Sequence, residues 1–262
     1  MVVIINVYLL ASREDIAGMN IAQFIHSLLK NQLLIVDEIS IFSDQFISEA
    51  VPLAATGIYL SRHSAQSLRP SLTVHPIGNF GLAEFGGRDD TLVDCHSFLI
   101  KRLLLNIKEL MNSGEYDLLF DYEISLEVTH HGPYAESPIV FIEVGSSEPQ
   151  WNDREACRLI ADVVNTTQFD NLSQSSDWIS VIGFGGNHYA TKFTRSMLET
   201  EYAFGHICAK YAIPHLKIDS IRQMIEKTFP TPELVLFDKK GMKQKQRIRT
   251  WLTDLGIEIK QI

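Results

Sequence analysis

Histidine is the side chain best matched to proton transfer near neutral pH, and as neutral imidazole it is the commonest zinc ligand. Nine occur in this sequence, and five follow short apolar runs: His63 after Gly57–Leu60, His75 after Leu72–Val74, His130 and His131 after Ile124–Val128, and His188 after Trp178–Phe184. Two carboxylates accompany them, Glu143 near the end of Ile139–Val144 and Glu127 three residues before His130. In open α/β sheets a ligand sits beyond the carboxyl ends of the strands, so the residues after each apolar run are those a site would draw on. The expectation is one cleft lined by His63, His75, His130, His131, Glu143 and His188. Any one of these histidines, taken singly, also reads as a hydrogen-bonded surface residue.

Two chemistries are open to such a set. Histidine can act as general base toward water, or a metal ion can lower the pKa of water toward neutrality. The residues expected to be catalytic are His131, His188, His75, His63 and Glu143, and those expected to hold a metal are His130, Glu127 and His206. Glu127 and His130 are three apart, so on a regular strand they point to opposite faces. A bend must bring them together, and Gly132–Pro133 just beyond supplies one. Gly205 before His206 would weaken a helix interior, which points to close approach of another group there. His26 and His96 fall in helical segments and read as structural.

Glycines after a strand can turn backbone amides toward an anion or a developing oxyanion. Gly145–Ser146 and Gly185–Gly186, with Asn187 and Tyr189, are therefore expected to bind substrate, Gly145 as a turn residue. A tight turn explains the same glycines. Neither stretch has the spacing of a phosphate-binding loop or a dinucleotide fingerprint, and no GxSxG nucleophile elbow occurs. Between Asp238 and Arg249, Lys239, Lys240, Lys243, Lys245, Arg247 and Arg249 form a cationic run in a chain of net charge −9. It reads either as an RNA footprint or as a solvated helix face.

The elements that must position these residues alternate. Apolar runs predict strands at Val2–Leu9, Gly57–Leu60, Leu72–Val74, Ile124–Val128, Ile139–Val144, Trp178–Phe184 and Leu234–Phe237. Helical periodicity predicts helices at Asp15–Lys30, Thr91–Asn112 with Gly114 as its stop, from a cap at Asn152, and at Arg195–Tyr211, Ser220–Lys227 and Met242–Leu255. The pattern is that of an α/β fold: a mainly parallel or mixed sheet with helices on both faces, in a single domain over 1–262. With 45% hydrophobic residues the chain can bury a real core, and 32 acidic against 23 basic residues exclude a protein that coats nucleic acid non-specifically. The apolar opening Met1–Leu10 is about half the roughly 20 residues a membrane span requires. Cys95, Cys157 and Cys208 are widely spaced, odd in number and placed in helix-patterned segments, which suits a reducing cytosol and no disulfide framework.

The stretches Ser61–Arg62–His63–Ser64, Leu72 to Asn79, Val128 to Pro133, Phe141 to Ser146 and Gly183 to Tyr189, in that order, resemble the archaeal and plant D-aminoacyl-tRNA deacylases. Gly205–His206 and Asp238-x-Lys240–Gly241 fit the same pattern, although Asn187 stands between the glycine pair and His188. The resemblance implies hydrolysis of D-aminoacyl-tRNA with broad side-chain tolerance, a link to zinc, and a core similar to peptidyl-tRNA hydrolases and purine-phosphorylase-type folds. It implies tRNA as the partner, held by its aminoacylated 3′ end and acceptor stem, and a cytoplasmic monomer. Two alternatives use the same residues: a zinc-dependent peptidase or amidohydrolase, and a non-catalytic tRNA-binding module.

Overall fold

The computed structural model describes residues 6–174, 177–238 and 244–261. Its strands are β1 (Asn6–Ser12), β2 (Leu33–Val36), β3 (Ala55–Ser64), β4 (Ser71–Pro76), β5 (Cys95–His96), β6 (Glu123–Leu126), β7 (Ile139–Ser146), β8 (Ile179–Phe184), β9 (Tyr202–Cys208), β10 (Thr228–Phe229), β11 (Leu234–Phe237) and β12 (Glu258–Gln261). Its helices are α1 (Ile16–Ala22), α2 (Ser27–Lys30), α3 (Asp44–Ala50), α4 (Ser97–Met111), α5 (Glu148–Trp151), α6 (Arg154–Thr166), α7 (Thr191–Glu199), α8 (Ile218–Glu226) and α9 (Lys245–Asp254).

The strands form a mixed six-stranded sheet, β2-β1-β3-β7-β4-β6, a parallel four-stranded sheet, β12-β11-β8-β9, and the small pair β10-β5. This is the α/β arrangement expected, with helices on both faces of the larger sheet. Ile58, Leu60, Leu72, Val74, Ile142 and Val144 turn one face into a core with α1, α4 and α6, and the same cluster takes in Val181, Phe204 and Leu236 of the second sheet. The opposite face carries Tyr59, Ile139 and Phe141 against Ile47 of α3. Strand alternation thus sorts β3 and β7 cleanly: even-numbered residues face the helical core, and odd-numbered ones face the other way.

Several boundaries differ from the sequence reading. The segment Arg195–Tyr211 is not one helix; α7 ends at Glu199 and the chain re-enters the second sheet as β9. Cys208 and His206 therefore lie on a strand, as does Cys95. The close approach at Gly205 is real, but the neighbour is Thr228, whose Cγ2 would be 2.3 Å from an added Cβ. The stretch Asp15–Lys30 breaks into α1 and α2, α4 begins at Ser97 rather than Thr91, and α6 is capped by Asp153, whose carboxylate accepts from the Glu155 and Ala156 amides, not by Asn152. The strands β2, β5, β9, β10 and β12 were not anticipated. Val2–Ile5, Lys239, Lys240, Met242 and Lys243 lie outside the described residues.

Candidate active site

The larger sheet changes direction next to its centre. β3 and β7 are parallel, whereas β4 runs antiparallel to β7 and carries β6 with it. The histidines consequently do not share one carboxyl edge, as the strand-end argument supposed. They share a face. Register places Ser61 beside Glu143 and Glu143 beside Thr73, so His63, Glu143, Thr73 and His75 project on the same side.

The segment after β6 closes over that face. The regular strand ends at Leu126, and single bridges then join Ile77 to His130 and Glu127 to Tyr189, giving the bend that Glu127 and His130 required. Glu127 Oε2 lies 3.6 Å from His130 Nε2. His188, arriving from the segment after β8, puts its Nε2 2.9 Å from the same oxygen. His63 Nδ1 stands 3.0 Å from Glu127 Oε1 and 3.4 Å from Glu143 Oε2, and its Nε2 is 2.8 Å from the Tyr189 hydroxyl. His75 Nε2 is 3.6 Å from Glu143 Oε2, which also accepts from Thr73 Oγ1. The His131 ring centroid lies 4.4 Å from that of His130, and five imidazoles and two carboxylates thus form one continuous cluster.

Three of the rings are oriented by main chain. His75 Nδ1 bonds Pro76 O at 3.1 Å, His130 Nδ1 bonds Val128 O at 2.8 Å and His131 Nδ1 bonds Gly132 O at 2.5 Å. A carbonyl accepts only, so Nδ1 carries the proton in each and Nε2 is the free nitrogen. This is the outer-shell support typical of metal-ligating histidine. His75, His130 and His131 offer nitrogens within 4.8 Å of one another, as do the ligand atoms of His63, Glu127 and His188, and of His75, Glu127 and Glu143. His75 Nε2 and both Glu127 oxygens are buried without an aligned hydrogen-bond partner, a condition that a bound cation relieves. The residues fit a metal ion of the nitrogen- and oxygen-binding kind.

Charge divides the cluster. Burial pulls the His63 and His75 pKa values down, but Glu143 and Glu127 outweigh it, and both stand above the usual imidazole value. Burial pushes the carboxyls up, yet His188, His63 and His75 hold Glu127 at about 2, and His63 and His75 hold Glu143 well below the carboxylate range. His130 and His131 lack that compensation. Burial and the neighbouring charge of His75 lower both, His131 to about 4, so they are neutral at pH 7.

A cleft of about 810 Å³ opens onto the cluster, lined by His63, His130, His131, Glu143 and His188, and by the loops carrying Ile39–Ile41, Gly78–Phe85 and Tyr211–His215. His75 lies beneath it, fully buried. Of the residues assigned to metal, Glu127 and His130 belong to the cluster together with those assigned to catalysis. His206 does not. It is buried on β9, 3.1 Å from the Thr129 hydroxyl, and belongs to none of the three ligand groups.

The glycine segments are not at the cleft. Gly145 is no turn residue: it lies within β7, where an added Cβ would fall 2.6 Å from His63 Cβ, so its absence lets His63 take its place. Ser146 Oγ donates to Arg69 O. The Gly185 amide donates to Cys208 O, and Gly186 O accepts from Lys210 N, both within the second sheet's connections. Asn187 is exposed, and Tyr189 reaches the cluster through its hydroxyl to His63, its bridge to Glu127 and its ring edge against His188. Lys245 Nζ sits 5.9 Å over the Phe237 ring, away from the cleft. Thr73 was missed, although its place two residues before His75 puts it on the same strand face.

The family model described as D-aminoacyl-tRNA deacylase matches residues 53–260, a span containing the whole cluster. A D-aminoacyl-tRNA deacylase of Methanocaldococcus jannaschii is 36% identical over 262 residues, covering 97% of this chain and 98% of its own. One of Ignicoccus hospitalis is 36% identical over 205 residues, 77% of this chain and 79% of its own. In three dimensions the chain is similar to the crystal structure of a conserved protein of unknown function, AF0625, with TM-score 0.85, 28% identity, and coverage of 98% and 95%.

Proposed function

The chain belongs to the D-aminoacyl-tRNA deacylase family, and on that premise we propose that it hydrolyses the ester between a D-amino acid and the 3′ end of tRNA, releasing both. The observation that carries the reading at the level of chemistry is a cluster of five histidines and two buried carboxylates, of which His63, His130, His131, His188 and Glu143 line one open cleft.

In this reading Glu127 holds His188 by Nε2, leaving Nδ1 to take a proton from the attacking water. The arrangement follows the carboxylate–imidazole logic of hydrolytic triads, in which the acid fixes the tautomer and stabilises the imidazolium that forms. His63, whose pKa is raised by Glu143 and Glu127 against the effect of burial, lies between the two carboxylates, and in its protonated form it supplies positive charge where the tetrahedral intermediate becomes anionic. His75, His130 and His131 would hold a zinc ion through Nε2, His75 giving up its proton when it binds. Bound there, zinc supplies Lewis acidity toward the ester carbonyl and a lowered pKa for water.

Leu82, Phe85 and Ile39, exposed by 74%, 65% and 45%, make an open apolar wall beside the cluster. We assign the amino-acid side chain to that wall, and its openness supports broad tolerance. In this reading the enzyme acts in the cytosol as a monomer, on the acceptor end of tRNA. Matched D- and L-tyrosyl-tRNA test the proposal: release of tyrosine from the D-ester at a rate well above both the L-ester and enzyme-free hydrolysis is expected, and an unchanged D-ester overturns it.

A further inference from the structure

Arg62 is the one Lys or Arg among the described residues lining the cleft, where Glu14, Asp15, Glu84 and Glu143 are also present. It stands next to His63 on β3 but on the opposite strand face, at the rim rather than in the cluster. Its backbone amide donates to Asp15 Oδ2, while no ion pair or hydrogen bond engages its guanidinium among the described residues. The guanidinium instead lies 5.2 Å from the centroid of the Trp151 ring. Trp151 is itself fixed, since its indole N–H donates to His63 O at 2.8 Å. Stacking on an aromatic face immobilises a guanidinium while leaving the donors in its plane free, the geometry suited to paired phosphate oxygens.

Resting on the deacylase reading, we infer that Arg62 binds the phosphodiester on the 5′ side of the terminal adenosine and so sets where the tRNA backbone enters the cleft. The phosphate is one nucleotide from the scissile ester, and Arg62 is one residue from His63. Outside the histidine cluster the exposed acidic residues of the lining, Glu14 and Glu84, repel RNA. The acceptor end therefore crosses the rim at Arg62 and Trp151, and the amino-acid side chain is directed toward Leu82 and Phe85.

The test compares D-tyrosyl-tRNA with D-tyrosyl-adenosine, which has the ester and the nucleoside but no phosphate. For Arg62→Gln, KM for the tRNA ester should rise about tenfold at low salt, as expected for loss of a charge-assisted hydrogen bond, with a much smaller change on the adenosine ester. The slope of log KM against log salt should fall by about 0.7, and Arg62→Lys should restore most of it. Equal losses on both esters would assign Arg62 to holding Trp151 and His63 in place, and no loss on either would put the backbone elsewhere; both overturn the inference. Wild-type protein inert toward both esters would instead sink the deacylase reading itself.

Discussion

His188 Nε2 and Glu127 Oε2 are 2.9 Å apart, with the carboxylate fully buried and the imidazole side chain 36% exposed at the cleft. The pair joins a fixed charge in the interior to a ring that can meet substrate. Replacing the ring should therefore harm chemistry more than folding. His188→Ala is expected to lower kcat by about 10²–10⁴, the usual contribution of general-base catalysis, with little change in Tm. A fall in Tm that accounts for the lost turnover would make His188 a structural residue.

Glu143 should behave in the opposite way. It is buried between His63 and His75 and raises the pKa of both, so Glu143→Gln removes the carboxylate that favours their charged forms. Breaking a buried pair from one side costs about 3–5 kcal/mol, and urea titration should show a loss of that order alongside any loss of turnover. Stability within about 1 kcal/mol of wild type would mean that the Glu143 carboxylate is not needed to hold His63 and His75 in the fold.

Metal dependence has its own measurement. Chelator-treated protein, confirmed metal-free by elemental analysis, is expected to lose turnover and to recover it with zinc. His131→Ala should reduce the bound zinc as well as the rate. Full activity without metal would leave the histidines as the sole catalysts.

Stability should fall in mild acid, and two histidines outside the cluster add to the contribution of His130 and His131. Burial lowers His96 to about 4, and burial with the charge of Lys227 lowers His206 to about 3, against an ordinary value of 6.5. A histidine with a depressed folded pKa contributes stability that is fully present above 6.5. As pH falls from 6.5 toward 4 and 3, the unfolded chain takes up protons that the folded chain refuses. Each group then removes about 1.4 kcal/mol per pH unit. Denaturant titrations at pH 7.5, 6 and 5 should show the decline, and His206→Gln should make it shallower; a stability profile unaltered by that substitution would contradict the assignment.

The cationic C-terminal stretch is more committed to structure than its composition implies. Arg247 donates to the carbonyls of Ile213 and Leu216 and packs on Trp251, and Arg249 lies over Phe237. Lys245→Glu should still raise KM for tRNA and reduce its salt dependence if this face touches the acceptor stem. An unaltered salt slope would leave tRNA recognition to the cleft rim.

The cluster was legible because a polar residue closing an apolar run is conspicuous in a chain whose strands are otherwise buried. His63, His130, His131 and His188 announce themselves that way. Direction is not written locally, however: nothing in Ser71–Pro76 says that β4 opposes β7, and that reversal turns a shared edge into a shared face. The Gly185 amide looked available because its acceptor, Cys208 O, is distant in sequence. β9 was read as helix since no glycine or proline marks the break after Glu199, and pairing with β8 decides its conformation. The fit to a metal ion shows in the clustered ligand atoms, the buried unpartnered atoms and the Nδ1 bonds to backbone carbonyls, none of which spacing reveals.

The cluster is gathered from β3, β4 and β7 and from the segments after β6 and β8, reaching from residue 63 to residue 188. Such a centre has no local precursor. A chain emerging from the ribosome lacks hydrolytic power until both sheets have docked, because no stretch of it alone brings a carboxylate to His188. The whole span from His63 to His188 must therefore be synthesised before the centre can form.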